Sequence, residues 1–289
     1  MRAENHTPGR RPLDAASLRR AALRPDGLWR EIEVVPSTGS TNADLLARAR
    51  RGEPEGVVLA AEEQATGRGR MGRRWVSPPR AALTFSVLLN PGVPPARRGW
   101  LPLLAGVAAV TAVTEVTGVR ASLKWPNDVL AGDVLAGEGK LAGILAEAAG
   151  DAVVVGIGLN VSTEPAELSH LLADSGPGGL PATSLPATSL RAAGATALDR
   201  EELLLAILSG FERWYRAWQQ AGGDPDRSGL RPEYVRWSAT IGRTVRAELP
   251  GGQALSGPAA GIDPDGRLLV RVSSGAEVPV AAADVVHLR

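Results

Sequence analysis

Residues 67–75 read Gly67-Arg68-Gly69-Arg70-Met71-Gly72-Arg73-Arg74-Trp75, four arginines set among three glycines. Glycine frees the backbone to wrap a ligand, and a guanidinium is a permanently charged planar fork, so the run spells an anion clamp. It also contains G-x-G-x-x-G, the dinucleotide fingerprint, which requires a strand before it and a helix opening inside it. Here the run passes straight into Trp75-Val76-Ser77-Pro78-Pro79, where two prolines forbid a helix. A P-loop is excluded too, because no Gly-Lys-Ser/Thr ending follows.

Other groups suited to charge placement lie downstream. Of the 32 lysines and arginines, only Lys124 and Lys140 are lysine. A lysine kept against such a drift marks a position where a compact point charge serves better than a planar fork. Lys124 opens Lys124-Trp125-Pro126-Asn127-Asp128, at the end of a strand that Pro126 turns; Asn127 and Asp128 fit a plain turn equally well. Lys140 opens Lys140-Leu141-Ala142-Gly143-Ile144-Leu145, where Gly143 marks either a bulge or a close approach of ligand to backbone. Val155-Gly156-Ile157-Gly158-Leu159-Asn160 alternates glycine with apolar residues, leaving one strand face bare for a flat ligand or another backbone. Ser40-Thr41-Asn42 has the composition of a helix N-cap, and Gln64 is a neutral donor and acceptor just before the clamp. The three histidines, His6, His170 and His287, are scattered, which argues against a histidine zinc site or a Ser-His-Asp triad. Arginines, lysines and asparagines at glycine-rich strand ends suit phosphoryl or nucleotidyl transfer, where catalysis is mostly positioning and charge stabilisation.

Strands are expected at Ile32–Val35, Val57–Ala61, Leu83–Leu89, Ala121–Trp125, Val129–Ala131, Leu141–Glu147 and Ala152–Val161, with helices after Ser40 and over Trp100–Val116 and Asp199–Gln219. This order predicts an α+β fold, a mixed and mostly antiparallel sheet with helices on one face. From Ile241 onward short strands separated by Pro250-Gly251-Gly252, Asp263-Pro264-Asp265-Gly266 and Ser273-Ser274-Gly275 predict a small β-barrel. Residues 176–193 are expected to form a loop, with an immediate repeat of Pro-Ala-Thr-Ser-Leu. The chain has 44% apolar residues, no cysteine and a formal net charge of +1. That composition fits a globular protein of a reducing compartment, with no bulk pull toward nucleic acid. The apolar stretch Leu101–Val113 is too short to span a bilayer, and no secretory signal is visible, so a cytoplasmic location and no membrane role are expected.

Taken in order, Ser40-Thr41-Asn42, Gln64, the 67–75 run, the Lys124–Asp128 and Lys140–Leu145 segments and Gly156–Val161 resemble the biotin protein ligases, most strongly over residues 37–161. The resemblance implies a biotin/lipoate ligase-like catalytic domain (31–238) after a leader (1–30), with an SH3-like domain at 239–289. It implies that ATP, with Mg2+, adenylates the biotin carboxylate and releases pyrophosphate, after which a lysine of a biotin carboxyl carrier protein displaces AMP. It assigns catalysis to Lys124 and Arg70. Biotin contacts fall to Ser40, Thr41, Asn42, Gln64, Gly67, Arg68, Gly69, Arg70, Lys124 and Gly143. ATP or adenylate contacts fall to Arg68, Arg70, Arg73, Trp75, Lys124, Asn127, Asn160 and Ser189, and the metal ligands stay unassigned. For the family's Thr-Ser-Leu near the nucleotide, Ser184 and Ser189 both qualify.

The clamp is expected to close over the acyl-adenylate and exclude water. About 36 residues precede the matching region; that is short of the winged helix with which some members bind DNA, so no DNA partner is expected. A lipoate ligase and a non-catalytic nucleic-acid binder using the Arg-Gly run on phosphates are the alternatives.

Overall fold

The computed structural model describes residues 9–133, 137–167, 185–249, 253–281 and 283–288. A seven-stranded sheet forms the larger part, in the order β1-β2-β3-β7-β6-β5-β4. Its strands are β1 (Glu31–Val35), β2 (Val57–Ala61), β3 (Ala82–Leu89), β4 (Ala121–Lys124), β5 (Asp128–Asp133), β6 (Gly137–Ala149) and β7 (Ala152–Asn160). β1 and β2 run parallel across the connecting helix α2 (Thr41–Ala49), and every other pair is antiparallel.

Strand alternation divides the sheet into two faces. One face presents Val58, Phe85, Val155 and Ile157 to a large core that contains α3 (Trp100–Thr117) and α4 (Arg200–Gln220). α3 is buried along most of its length, as expected of an apolar helix held between a sheet and a second helix. It ends at Gly118 in the left-handed conformation, the common helix stop. α4 is amphipathic and starts at Asp199, whose carboxylate accepts from the N–H groups of Glu201 and Glu202. A short leader helix, α1 (Ala15–Ala22), joins the same core through Leu18.

The opposite face is where the sequence expectation needs an addition. α2 lies there, packing Leu45 and Leu46 on Val57, Leu59, Leu88 and Val154. It covers only one end, so the sheet beyond it stays open on that side.

A further helix, α5 (Leu230–Trp237), was not anticipated. Only Leu230 and Tyr234 of it are buried, a stripe of two residues that is too short to register as periodicity. The C-terminal strands are β8 (Thr244–Glu248), β9 (Ala254–Ile262), β10 (Leu268–Arg271), β11 (Glu277–Val280) and β12 (Asp284–His287). They pair as β11-β10-β9-β8-β12, and no β11–β12 pairing closes them into the expected barrel among the described residues. The bend comes from β9, which pairs with β8 up to Pro258 and with β10 from Ala259 onward, across a bulge. The indoles of Trp100 and Trp125 donate to the carbonyls of Pro264 and Gly266, fastening the β9–β10 turn to the larger sheet.

Candidate active site

The open end of the α2-bearing face holds a cleft of about 500 Å3. Its floor is β3, β7 and β6, where Ser86, Gly156 and Leu145 stand in register, as do Thr84, Gly158 and Gly143. The bare strand face expected from Gly156 and Gly158 is therefore real, and two side chains of this chain fill it. A Cβ on Gly156 would lie 2.2 Å from Asn42 Oδ1, and one on Gly158 would lie 2.3 Å from the Trp75 indole. Gly143 faces the same indole, with Trp75 Cζ3 3.5 Å from its Cβ position. The bulge expected in the 140–145 segment is present, although not at Gly143 itself. β6 carries a bulge, since Val129 pairs with Ala142 but Leu130 with Lys140, and the extra residue is Leu141. Leu141 and Ala142 both enter the core, so Lys140 and Gly143 emerge together on the cleft side.

At the α2 end the cleft is lined by buried polar groups. Ser40 caps α2, accepting from the Ala43 N–H at 3.4 Å, and also lines the cleft. Asn42 donates to the Leu145 carbonyl (3.2 Å) and to Glu147 (2.9 Å), which leaves its Oδ1 to accept from Ser86 at 2.6 Å. Ser86 has spent its one proton, so at its 2.7 Å contact with Thr41 it accepts. The Thr41 proton is then shared between Ser86 at 2.7 Å and Gln64 Oε1 at 3.1 Å, and the lone pairs of the Thr41 oxygen remain as acceptors. Gln64 takes the Thr41 N–H on Oε1 at 2.8 Å, which leaves its Nε2–H2 as donor. One end of the cleft thus presents a donor and an acceptor side by side.

The clamp is folded as a tight hairpin, not as a helix opening. Arg68 pairs with Arg74, the Gly69 N–H donates to the Arg73 carbonyl, and the Arg73 N–H returns to Arg70. Met71 (φ 56°) and Gly72 (φ 75°) both take the left-handed conformation typical of the central pair of such a turn. At its base Gly67 admits no side chain, because a Cβ there would lie 2.3 Å from the Trp75 carbonyl. The arginines diverge. Arg70 turns inward and donates to Asn127 Oδ1 at 3.1 Å, and burial pushes its pKa down, with Asp284 opposing. Arg73 is held by the carboxylate of Asp284 from β12. Arg68 and Arg74 both line the cleft, and Arg74 also reaches the Ala65 carbonyl. Asn127 fixes the junction by donating to the Ile144 carbonyl (3.0 Å) and accepting, on its own carbonyl, the Ile144 N–H (2.9 Å).

Both lysines reach the cleft. Lys124 and Asp128 are register partners at the β4–β5 turn, yet Asp128 pairs with Lys140, at 2.7 Å. Burial lowers the pKa of Lys124, and nearby Asp128 opposes this. His287 of β12 stands behind Lys124. It accepts from Arg243 on Nδ1, so its Nε2–H donates to Thr240, which also takes the Trp125 N–H. Burial, with Lys124 and Arg243 adding to it, lowers the His287 pKa to about 4.

Asn160 lines the cleft at the end of β7 and donates to the Thr188 carbonyl at 2.9 Å. Ser189 does not face the cleft. It is fully buried, donates to the Thr163 carbonyl (2.7 Å) and accepts from the Ala192 N–H (3.1 Å), as a turn-capping serine does. What the second repeat copy offers the cleft is Ala187, bridged to Lys140. Ser184 lies outside the described residues. Sequence reasoning missed Ser86, Lys140 as a cleft residue, Asp128 and Asp284. Thr84 and Ser86 alternating with apolar residues on β3 were a usable signal for the first; nothing local pointed to Asp284.

Residues 32–163 match the Biotin/lipoate A/B protein ligase family, and residues 240–288 match the Biotin protein ligase C terminal domain. The chain is 44% identical to the biotin–[acetyl-CoA-carboxylase] ligase of Mycobacterium tuberculosis, over 97% of both chains. The chain belongs to the biotin protein ligase family. It is also 33% identical to the bifunctional ligase/repressor BirA of Bacillus subtilis, matching 88% of this chain and 72% of that protein. A ligase structure from Aquifex aeolicus, in complex with biotin and ATP, superposes with a TM-score of 0.69 over 90% of this chain and 100% of that one, at 26% identity. Within the biotin protein ligase fold, α3 is the one described helix long and apolar enough to cross a membrane, and here it is buried as a core helix.

Proposed function

We infer that this chain is an ATP-dependent biotin protein ligase, which forms biotinyl-5′-AMP and transfers biotin to a lysine of a carboxylase carrier protein. The observation that carries this reading is the polarity of the one cleft. A neutral donor and acceptor, Gln64 Nε2 and Thr41 Oγ1, stand at its α2 end, and Arg70, Arg73, Lys124 and Lys140 stand at the other. A ligand with an uncharged urea at one end and a carboxylate at the other matches that gradient, because a buried polar group needs a partner of complementary type.

In this proposal Thr41 accepts a ureido N–H, and Gln64 donates to the ureido oxygen. Asn42 and Ser86 orient Thr41, while Gly143 and Gly67 let ring and backbone come close. Lys124 and Lys140 flank the carboxylate, where an ammonium neutralises charge that moves from carboxylate to α-phosphate as pyrophosphate leaves. Arg68, Arg70 and Arg73 take the phosphates, Asn127 holds Arg70 in place, and Trp75 and Asn160 bound the adenine side. Closure of the hairpin would keep water from the acyl-adenylate until the carrier amine displaces AMP.

No group of three or more metal-ligating side chains is present among the described residues. Asp128 is nonetheless a hard oxygen donor in the cleft, and one carboxylate plus substrate phosphates is a set that magnesium accepts. Bound there, Mg2+ would neutralise part of the triphosphate charge. Residues 31–238 as catalytic domain, 239–289 as SH3-like domain, a cytoplasmic setting and no DNA partner complete the proposal. The test is ATP–pyrophosphate exchange run with biotin and with lipoate side by side. Exchange with biotin alone is expected; exchange with lipoate alone, or salt-sensitive RNA binding without exchange, would refute the assignment.

A further inference from the structure

Asp284 is the one carboxylate that the C-terminal sheet sends into the cationic end of the cleft among the described residues. It enters from the first position of β12, where its backbone pairs with Glu248. Both of its oxygens engage Arg73 Nη2, and its charge also acts on Arg70 and on Lys124. A carboxylate in this place has two opposed effects. It neutralises an arginine of the clamp, and it repels any phosphate that approaches the same arginine.

We propose that Asp284 is a tethered anion that holds Arg73 in the substrate-free protein and is displaced from it by the phosphates of ATP. The carboxylate lies within the cleft, on the arginine that the clamp presents to it, so carboxylate and phosphate compete for one guanidinium. Its removal therefore lowers the barrier to nucleotide binding and does not weaken the site. Because Asp284 belongs to β12, the exchange of partners also couples the C-terminal sheet to the clamp hairpin: the empty clamp is pinned to β12, and the loaded clamp is pinned to nucleotide. This inference rests on the reading of ATP as the clamp's substrate. Asp284 is a positioning residue in it, acting through Arg73.

The experiment uses the full chain with Asp284→Asn, Asp284→Glu, Arg73→Gln and the Asp284→Asn/Arg73→Gln double variant. KM and kcat for ATP are measured in biotin-dependent exchange, and pyrophosphate binding is measured by calorimetry without biotin. Asp284→Asn is expected to lower the ATP KM roughly three- to tenfold and to tighten pyrophosphate binding by a similar factor, with kcat held within about twofold. Asp284→Glu, which keeps the charge, should stay near the parent. In the Arg73→Gln background the benefit of Asp284→Asn should vanish, because the competed guanidinium is gone. An unchanged or raised KM in a folded Asp284→Asn protein overturns the proposal, and so does a gain that persists undiminished without Arg73, which would be a general field effect. If the parent shows no biotin-dependent exchange, the functional assignment fails instead, and the two failures are thereby told apart.

Discussion

Gly156 and Gly158 stand two residues apart on one strand face, yet alanine at each should damage different substrates. Neither has a positive φ, and both are paired on each side in the sheet, so alanine fits the backbone at both positions. At Gly156 the new methyl would lie 2.2 Å from Asn42 Oδ1, against an ordinary contact of 3.4 Å or more. Asn42 must then retreat by about 1 Å, which its bonds to Ser86 (2.6 Å), Glu147 (2.9 Å) and Leu145 (3.2 Å) cannot all survive. Losing one buried hydrogen bond and stranding its partner costs about 1–3 kcal/mol. Felt through Ser86 and Thr41, that becomes roughly a 5- to 150-fold rise in the biotin KM. At Gly158 the methyl would lie 2.3 Å from the Trp75 indole, so the ring is lifted off the floor and Asn42 is untouched. Stacking against a base is worth about 1–3 kcal/mol, so the ATP KM should rise by a similar factor while the biotin KM stays near the parent value. Biotin- and ATP-dependence of exchange, each measured with the other saturating, reads both. If Gly156→Ala raises the ATP KM alone, or if both variants raise both constants equally, the division of the cleft into a Thr41 end and a Trp75 side is wrong.

Lys124→Arg should abolish biotin-dependent exchange, by about 100-fold or more, in a protein that still melts cooperatively; a bulkier fork cannot replace a buried point charge, and near-normal exchange would remove Lys124 from the mechanism. Ser189→Ala should lower stability by about 1–2 kcal/mol through the lost Thr163 and Ala192 bonds and leave the ATP KM alone; the reverse pattern would restore Ser189 to the nucleotide site. His287 has its pKa lowered from 6.5 to about 4, so the folded protein binds fewer protons than the unfolded chain between those values. The stability it contributes is present above pH 6.5 and lost as pH falls toward 4. Melting curves across that window should show this loss in the parent and less of it in His287→Gln, and equal acid sensitivity of the two would contradict the assignment.

Much of this was legible in the chain because local chemistry dictated it. Val57–Ala61 is a strand with the predicted bounds, and Asp199 caps α4 where it was expected to start. Gly156 and Gly158 announced a bare strand face from spacing alone. The occupant was not legible, since Trp75 reaches Gly158 only through the hairpin turn at Met71 and Gly72. Ser189 misled for the opposite reason: a serine that caps a turn and one that meets a nucleotide look the same in one dimension. Asp284 was invisible because its partner Arg73 stands 211 residues away. α2 on the second face could be assigned only once register had fixed which side of β2 each residue takes.

The extra residue in β6 has a consequence for anyone who edits or transplants this strand. Lys140 and Gly143 are an odd number apart, so in an unbroken strand they would point to opposite sides. Leu141 is what reconciles them, and it does so as one more side chain in the core. Straightening the ladder with all four residues kept would leave every chemical group of the cleft encoded and yet swing the ammonium of Lys140 to the far side of the sheet. The four letters Lys-Leu-Ala-Gly are therefore a phase correction as much as a binding motif, and any scaffold built to carry this chemistry must copy the slip along with the side chains.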